Sequence, residues 1–132
     1  ELEAFLTEAG IDPNRYRFED GSGLSRLTLV TPSVISRLLS HMYASPHRDA
    51  WISLMPIGGE DCTLENRFSG NPAAGRAVHA KTGTLSHVSG LSGYQEKRGG
   101  GHLIVSILVN NYRAPSSGIR AVIDRICIEA LE

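Results

Sequence analysis

The sequence predicts an α+β fold: an antiparallel sheet of about three strands with helices packed on it. Three observations predict it. Apolar residues recur at helical spacing near both ends and around residue 38, they alternate with period two between residues 76 and 110, and clusters of Gly and Pro punctuate the rest. At 132 residues the chain is expected to be one domain, 1–132, long enough to bury a core.

Each element follows from its pattern. Leu2, Phe5, Leu6 and Ala9 form the stripe of a short helix over 2–9, which Gly10 ends. Residues 12–26, with Pro13, Asn14, Asp20, Gly21 and Gly23, hold no period and read as loop and tight turn. Thr31 offers a capping oxygen and Pro32 fits the first helical position, so Val34, Ile35, Leu38, Leu39 and Met42 continue a helix to about Tyr43. Residues 45–71 are a long irregular excursion with one short helix near Trp51, and a loop of that length usually lines a site. Strands are expected over 76–85, 89–96 and 102–110, the last two joined through Gly99, Gly100 and Gly101. The strand 102–110 is apolar on both faces, a pattern suited to a central strand covered by helices. Ile119, Val122, Ile123, Ile126 and Leu131 then share one face of a C-terminal helix that follows the candidate caps Ser116 and Ser117.

Composition excludes several functions. Thirteen Lys plus Arg against 14 Asp plus Glu give a net charge of -1, which is no footprint for nucleic acid. The longest apolar run, 103–109, is interrupted by Ser106 and falls far short of the roughly 20 residues that span a bilayer, so no transmembrane segment is expected. Glu1 stands first with no leader pattern before it, so the chain is expected to be a piece of a longer protein. Cys62 and Cys127 define neither a disulfide framework nor a metal site and read as two buried or free thiols. No His-Glu-x-x-His occurs, and the pairs His41 with His47 and His79 with His87 lack ligand spacing, so no metal and no cofactor are expected. Gly21-Ser22-Gly23 lacks the third Gly of a dinucleotide loop, and no serine is flanked by Gly two residues away on both sides.

One constellation carries chemistry. His79-Ala80-Lys81-Thr82-Gly83-Thr84-Leu85 places Lys-Thr-Gly inside an alternating strand, the third of three elements shared by penicillin-binding proteins and class A β-lactamases. An extended peptide can pair with such a strand, while Lys81 supplies a fixed charge and Thr82 a hydroxyl for its terminal carboxylate. Gly83 leaves the approach clear. The backbone N–H of Thr84 is a candidate oxyanion donor, a contribution of about 3 to 4 kcal/mol to lowering the barrier.

Further motifs accompany it: Asp20-Gly21-Ser22-Gly23-Leu24-Ser25-Arg26, Thr31-Pro32, Leu54-Met55-Pro56-Ile57-Gly58-Gly59 with Thr63-Leu64 and Arg67-Phe68, and Leu108-Val109-Asn110-Asn111. In that order the whole chain closely resembles the C-terminal part of the penicillin-binding D-alanyl-D-alanine carboxypeptidase/endopeptidases of the type-4, class C group. The resemblance implies part of a β-lactamase/transpeptidase-like domain. It further implies an extracytoplasmic, commonly periplasmic, serine enzyme that cleaves peptidoglycan stem peptides through an acyl-enzyme and is acylated by β-lactams. The family's nucleophile lies in Ser-x-x-Lys. Here the only lysines are Lys81 and Lys97, preceded three residues earlier by Val78 and Tyr94, so the nucleophile is absent from the chain and the isolated piece is expected to be inactive. Ser69-Gly70-Asn71 spells Ser-x-Asn at the wrong place in the order and reads as a turn, and Cys62 stands where relatives often carry Gly. In the family fold the strand matching 102–110 is flanked by a strand from the missing N-terminal part, so in this chain it is expected to become an edge and to pair with a second copy in a homodimer. Two other readings stay open: a non-catalytic peptidoglycan- or partner-binding module, and a β-lactamase relative.

Overall fold

The computed structural model describes residues 1–131. The three expected strands form: β3 over Val78–Leu85, β4 over Val88–Glu96 and β5 over His102–Asn110, numbered after the two-residue strands β1 (Tyr16–Arg17) and β2 (Leu29–Val30). They make an antiparallel meander in the order β3-β4-β5. The register is continuous, with Lys81 opposite Ser92, Gly83 opposite Gly90, Gly93 opposite Val105 and Tyr94 opposite Ile104.

Period two gives the central strand β4 two different faces. Ser89, Leu91, Gly93 and Gln95 point one way and are all buried. On that side lies α5 (Ser116–Glu129), whose Ile123 and Cys127 pack with Leu64, Phe68, Val78, Ala80 and Leu91. Burying Leu64, Leu91 and Ile123 contributes about 1.5–3 kcal/mol each. Gln95 Nε2 also donates to the Cys127 carbonyl at 2.7 Å. The opposite face carries Tyr94, fully buried, whose hydroxyl donates to the Leu39 carbonyl of α2 (Pro32–Ala44) at 2.7 Å. The sheet is therefore helix-covered on both faces, as the apolar pattern of 102–110 requires, and β5 is half-buried along nearly its whole length. It is nevertheless the edge strand on its side, with β4 as its only strand neighbour among the described residues.

The first 30 residues form an annex. α1 (Leu2–Glu8), Ile11 and Val34 enclose a second small core with Leu6 and Ala9. β1 and β2 pair antiparallel; β1 lies within the stretch 12–26 expected to be loop and β2 just after it, each too short to show a period. In α2 the expected cap is in place, Thr31 Oγ1 accepting from the Val34 N–H at 3.3 Å. The excursion 45–71 contains α3 (Arg48–Ser53) around Trp51 and a single 3-10 turn over Cys62–Leu64. The start of β3 differs from expectation by two residues. Residue 76 belongs to α4 (Pro72–Arg76), so the strand starts at Val78; Asn71 Oδ1 accepts from the Ala74 N–H at 3.1 Å and Pro72 takes the first helical position. Ser69 and Gly70 form the expected turn, and Asn71 has a role the sequence reading did not foresee, as the cap of α4.

Candidate functional site

The Lys-Thr-Gly run lies on β3, the other edge of the sheet. Its first half is covered. The Ala80 N–H donates to the Pro56 carbonyl at 3.0 Å, and the Gly58 N–H donates to the Val78 carbonyl at 2.9 Å. Even-numbered residues of β3 therefore turn their backbone groups outward, away from β4. Continuing the alternation, the N–H and C=O groups of Thr82 and Thr84 face outward beyond the end of that cover, and no backbone group among the described residues bonds there. Half of one strand edge is left open for an extended ligand.

Side chains gather at this opening. Lys81 is exposed and stands on the α2 face; its ammonium bends to the edge and donates to the Thr82 carbonyl at 2.6 Å. No carboxylate among the described residues pairs with it, so its charge is uncompensated by protein. Thr82 points to the other face, where its hydroxyl donates to Thr63 Oγ1 at 2.9 Å. A Cβ on Gly83 would meet nothing within 4 Å, so this position is open space beside the edge. Thr84 is exposed.

Two loops frame the edge. Arg26 Nη2 donates to the Ser86 carbonyl at 3.1 Å, which ties the Gly-rich loop to the turn after β3. Within that loop Asp20 Oδ1 accepts from the Ser22 N–H at 2.9 Å and from the Ser22 hydroxyl at 2.7 Å, and these bonds hold the exposed carboxyl below its usual range. Ser22 is thus engaged in its own turn. On the other side, Arg67 reaches across to Asp124 of α5, with Nε donating at 2.9 Å to both carboxylate oxygens and Nη2 lying 2.6 Å from Oδ1. This nearly buried pair fixes the segment 56–68 against the helix.

At the start of β3, on the same face as Lys81, Glu96 Oε1 lies 3.8 Å from His79 Nε2 and 4.0 Å from His102 Nε2. Tyr43 Oη is 3.0 Å from His102 Nδ1, and a cavity of about 560 Å³ opens beside them. Sequence spacing gave no sign of this cluster, because its members come from three strands and a helix. No group of three or more His, Cys, Asp or Glu among the described residues has metal-holding geometry. Cys62 is exposed and Cys127 buried, and both are free thiols. Burial, with Asp124 nearby, pushes the Cys127 thiol up to about 11.

Comparison with known proteins bears directly on this arrangement. The model of the D-Ala-D-Ala carboxypeptidase 3 (S13) family matches residues 1–129. The chain belongs to that family. Among its relatives, the D-alanyl-D-alanine carboxypeptidase of Actinomadura sp. (strain R39) is 38% identical over 99% of this chain and 24% of its own length. The penicillin-sensitive carboxypeptidase A of Dictyostelium discoideum is 34% identical over 96% of the chain and 26% of its own length. The fold is that of penicillin binding protein 4 from Haemophilus influenzae, whose crystal structure superposes with a TM-score of 0.86 at 24% identity, over 99% of this chain and 31% of that one. The chain thus spans about a quarter of the length of the curated relatives it matches. Among the described residues no helix is long and apolar enough to cross a membrane.

Proposed function

We propose that the protein containing this chain is a serine-type D-alanyl-D-alanine carboxypeptidase/endopeptidase that hydrolyses peptidoglycan stem peptides outside the cytoplasm through an acyl-enzyme and is acylated by β-lactams. The 132 residues supply the substrate strand. Lys81 and Thr82 receive the terminal carboxylate of the peptide or of the β-lactam, Gly83 leaves room for its backbone, and the Thr84 N–H stabilises the oxyanion as the scissile carbonyl is attacked. The attacking serine and its lysine come from other sequence, since Ser-x-x-Lys is absent here.

One observation carries the reading: an ammonium with no carboxylate partner stands at the uncovered half of a strand edge whose outward N–H groups are free. Membership of the S13 family gives that arrangement its chemical context. The test is to label the full-length protein and the 132-residue chain with a fluorescent penicillin and to map the modified residue. A modified serine outside these 132 residues, with the short chain unlabelled, is the expected result. A modified serine within them overturns the assignment.

A further inference from the structure

Thr63 has no obvious structural reason for its hydrogen bond. Its side chain is exposed, so nothing compels the hydroxyl to find a protein partner. Yet it meets Thr82, 19 residues away, at 2.9 Å. Its position is set by contacts that do not involve its own side chain. The next residue, Leu64, is fully buried. The Leu64 N–H donates to the Asp61 carbonyl and the Gly59 N–H donates to the Leu64 carbonyl, while Asp61 Oδ1 accepts from the Ile57 N–H at 2.8 Å. The far side of the segment is held by Arg67 on Asp124, and the near side by the bonds from Pro56 and Gly58 to β3. The turn is a rigid bracket that presents one hydroxyl to the middle residue of Lys-Thr-Gly.

Hydroxyl chemistry says what such a bracket does. A hydroxyl has one proton to give and two lone pairs with which to accept, whereas a carboxylate only accepts. With no ligand present, Thr82 gives its proton to Thr63. When a carboxylate arrives, Thr82 must turn that proton to the anion, and its contact with Thr63 persists only if Thr63 becomes the donor. Both hydroxyls can rotate to do so. The resulting chain, Thr63 to Thr82 to carboxylate, ends in a charge-assisted bond, and donation from Thr63 makes Thr82 a stronger donor.

We propose that Thr63 is a positioning residue for the carboxylate subsite: it orients and polarises the Thr82 hydroxyl and does not itself touch the ligand. The inference rests on the reading of residues 81–84 as the strand that holds a substrate carboxylate, and it adds a specificity element from a different loop. It sets a preference for ligands that end in a free carboxylate over the same ligands with that group esterified.

The test compares acylation of the full-length protein by a penicillin and by its methyl ester, reported as the acid-to-ester ratio of second-order rate constants. Thr63→Val removes the hydroxyl and keeps the shape, Thr63→Ala removes it with less bulk, and Thr63→Ser keeps it. Both hydroxyl-less variants are expected to lower the ratio by about tenfold, the scale of one lost hydrogen bond, with the ester rate and the thermal midpoint little changed. Thr63→Ser is expected to stay within about twofold of the parent protein on the same scale. Thr82→Val separates the two levels. If it lowers the ratio and the hydroxyl-less Thr63 variants do not, or if acid and ester slow equally in those variants, the Thr63 inference is overturned and the reading of the strand stands. Failure of Thr63→Ser to restore the ratio also overturns the inference. If Thr82→Val leaves the ratio unchanged, the reading of the strand fails and the inference falls with it.

Discussion

Cys62 shows how a single backbone angle explains a residue preference. Its φ is +48°, in the left-handed region that costs an L-residue about 1–2 kcal/mol and costs glycine nothing in sterics. The resemblance implies that relatives often carry Gly there, and the turn it opens carries Thr63. Cys62→Gly is expected to raise stability by about 0.5 kcal/mol, the strain relieved less the extra chain entropy of glycine, while Cys62→Val lowers it by about 1 kcal/mol or more. Denaturant midpoints of the two variants check both signs. The second cysteine behaves differently. Burial raises the Cys127 thiol from 9.0 to about 11, so the folded state keeps its proton where the unfolded chain loses it. Its contribution to stability is complete below pH 9.0 and is lost as pH rises to about 11. Thermal midpoints of the parent protein and Cys127→Ala, followed across that window, should converge as pH rises; parallel curves would contradict the assignment. The strand position of Lys81, by contrast, was legible from sequence alone, because Lys-Thr-Gly is a local motif whose strand context shows in the alternation around it. Thr63 and the Arg26 to Ser86 contact were not, since each joins residues brought together only by tertiary folding.

Among the elements, the meander was the most readable part and the short pieces the least. β4 and β5 match the expected runs closely because each is long and carries apolar residues that meet helices on both faces of the sheet, and α2 follows from a Thr-Pro start and a sustained stripe. α4 has the same kind of start, Asn71 and Pro72, but five residues are too few for a stripe, so the strand was expected to begin at residue 76. β1 and β2, at two residues each, carry no period at all. Within the meander, Gly93 of β4 leaves no room for a side chain against β3. A Cβ there would collide with the His79 carbonyl oxygen and lie 2.6 Å from Ala80 Cα. Backbone cannot yield as a flexible side chain does, so Gly93→Ala is expected to destabilise the fold by about 3 kcal/mol. It should also disturb β3 just before Lys81. Amide exchange would report this as loss of protection in β3 and β4, with α1 and the small second core unaffected.

For the whole molecule, the two edges of the sheet have opposite meanings. The β5 edge has no partner strand among the described residues, although both its faces are covered, and such an edge is a template for another strand. We expect the 132-residue chain on its own to associate through β5 with a second copy; sedimentation as a monomer at high concentration would refute this. The β3 edge is half closed by residues 56–58 and half open, and the open half holds the unpaired ammonium of Lys81. All of the proposed chemistry depends on that ammonium meeting a ligand carboxylate. The direct measurement is the second-order rate of acylation by penicillin of the full-length protein carrying Lys81→Ala, with circular dichroism to show that the fold is kept. The account predicts a loss of at least about tenfold, as expected for removing a charge-assisted bond. An unchanged rate in the folded variant would contradict it.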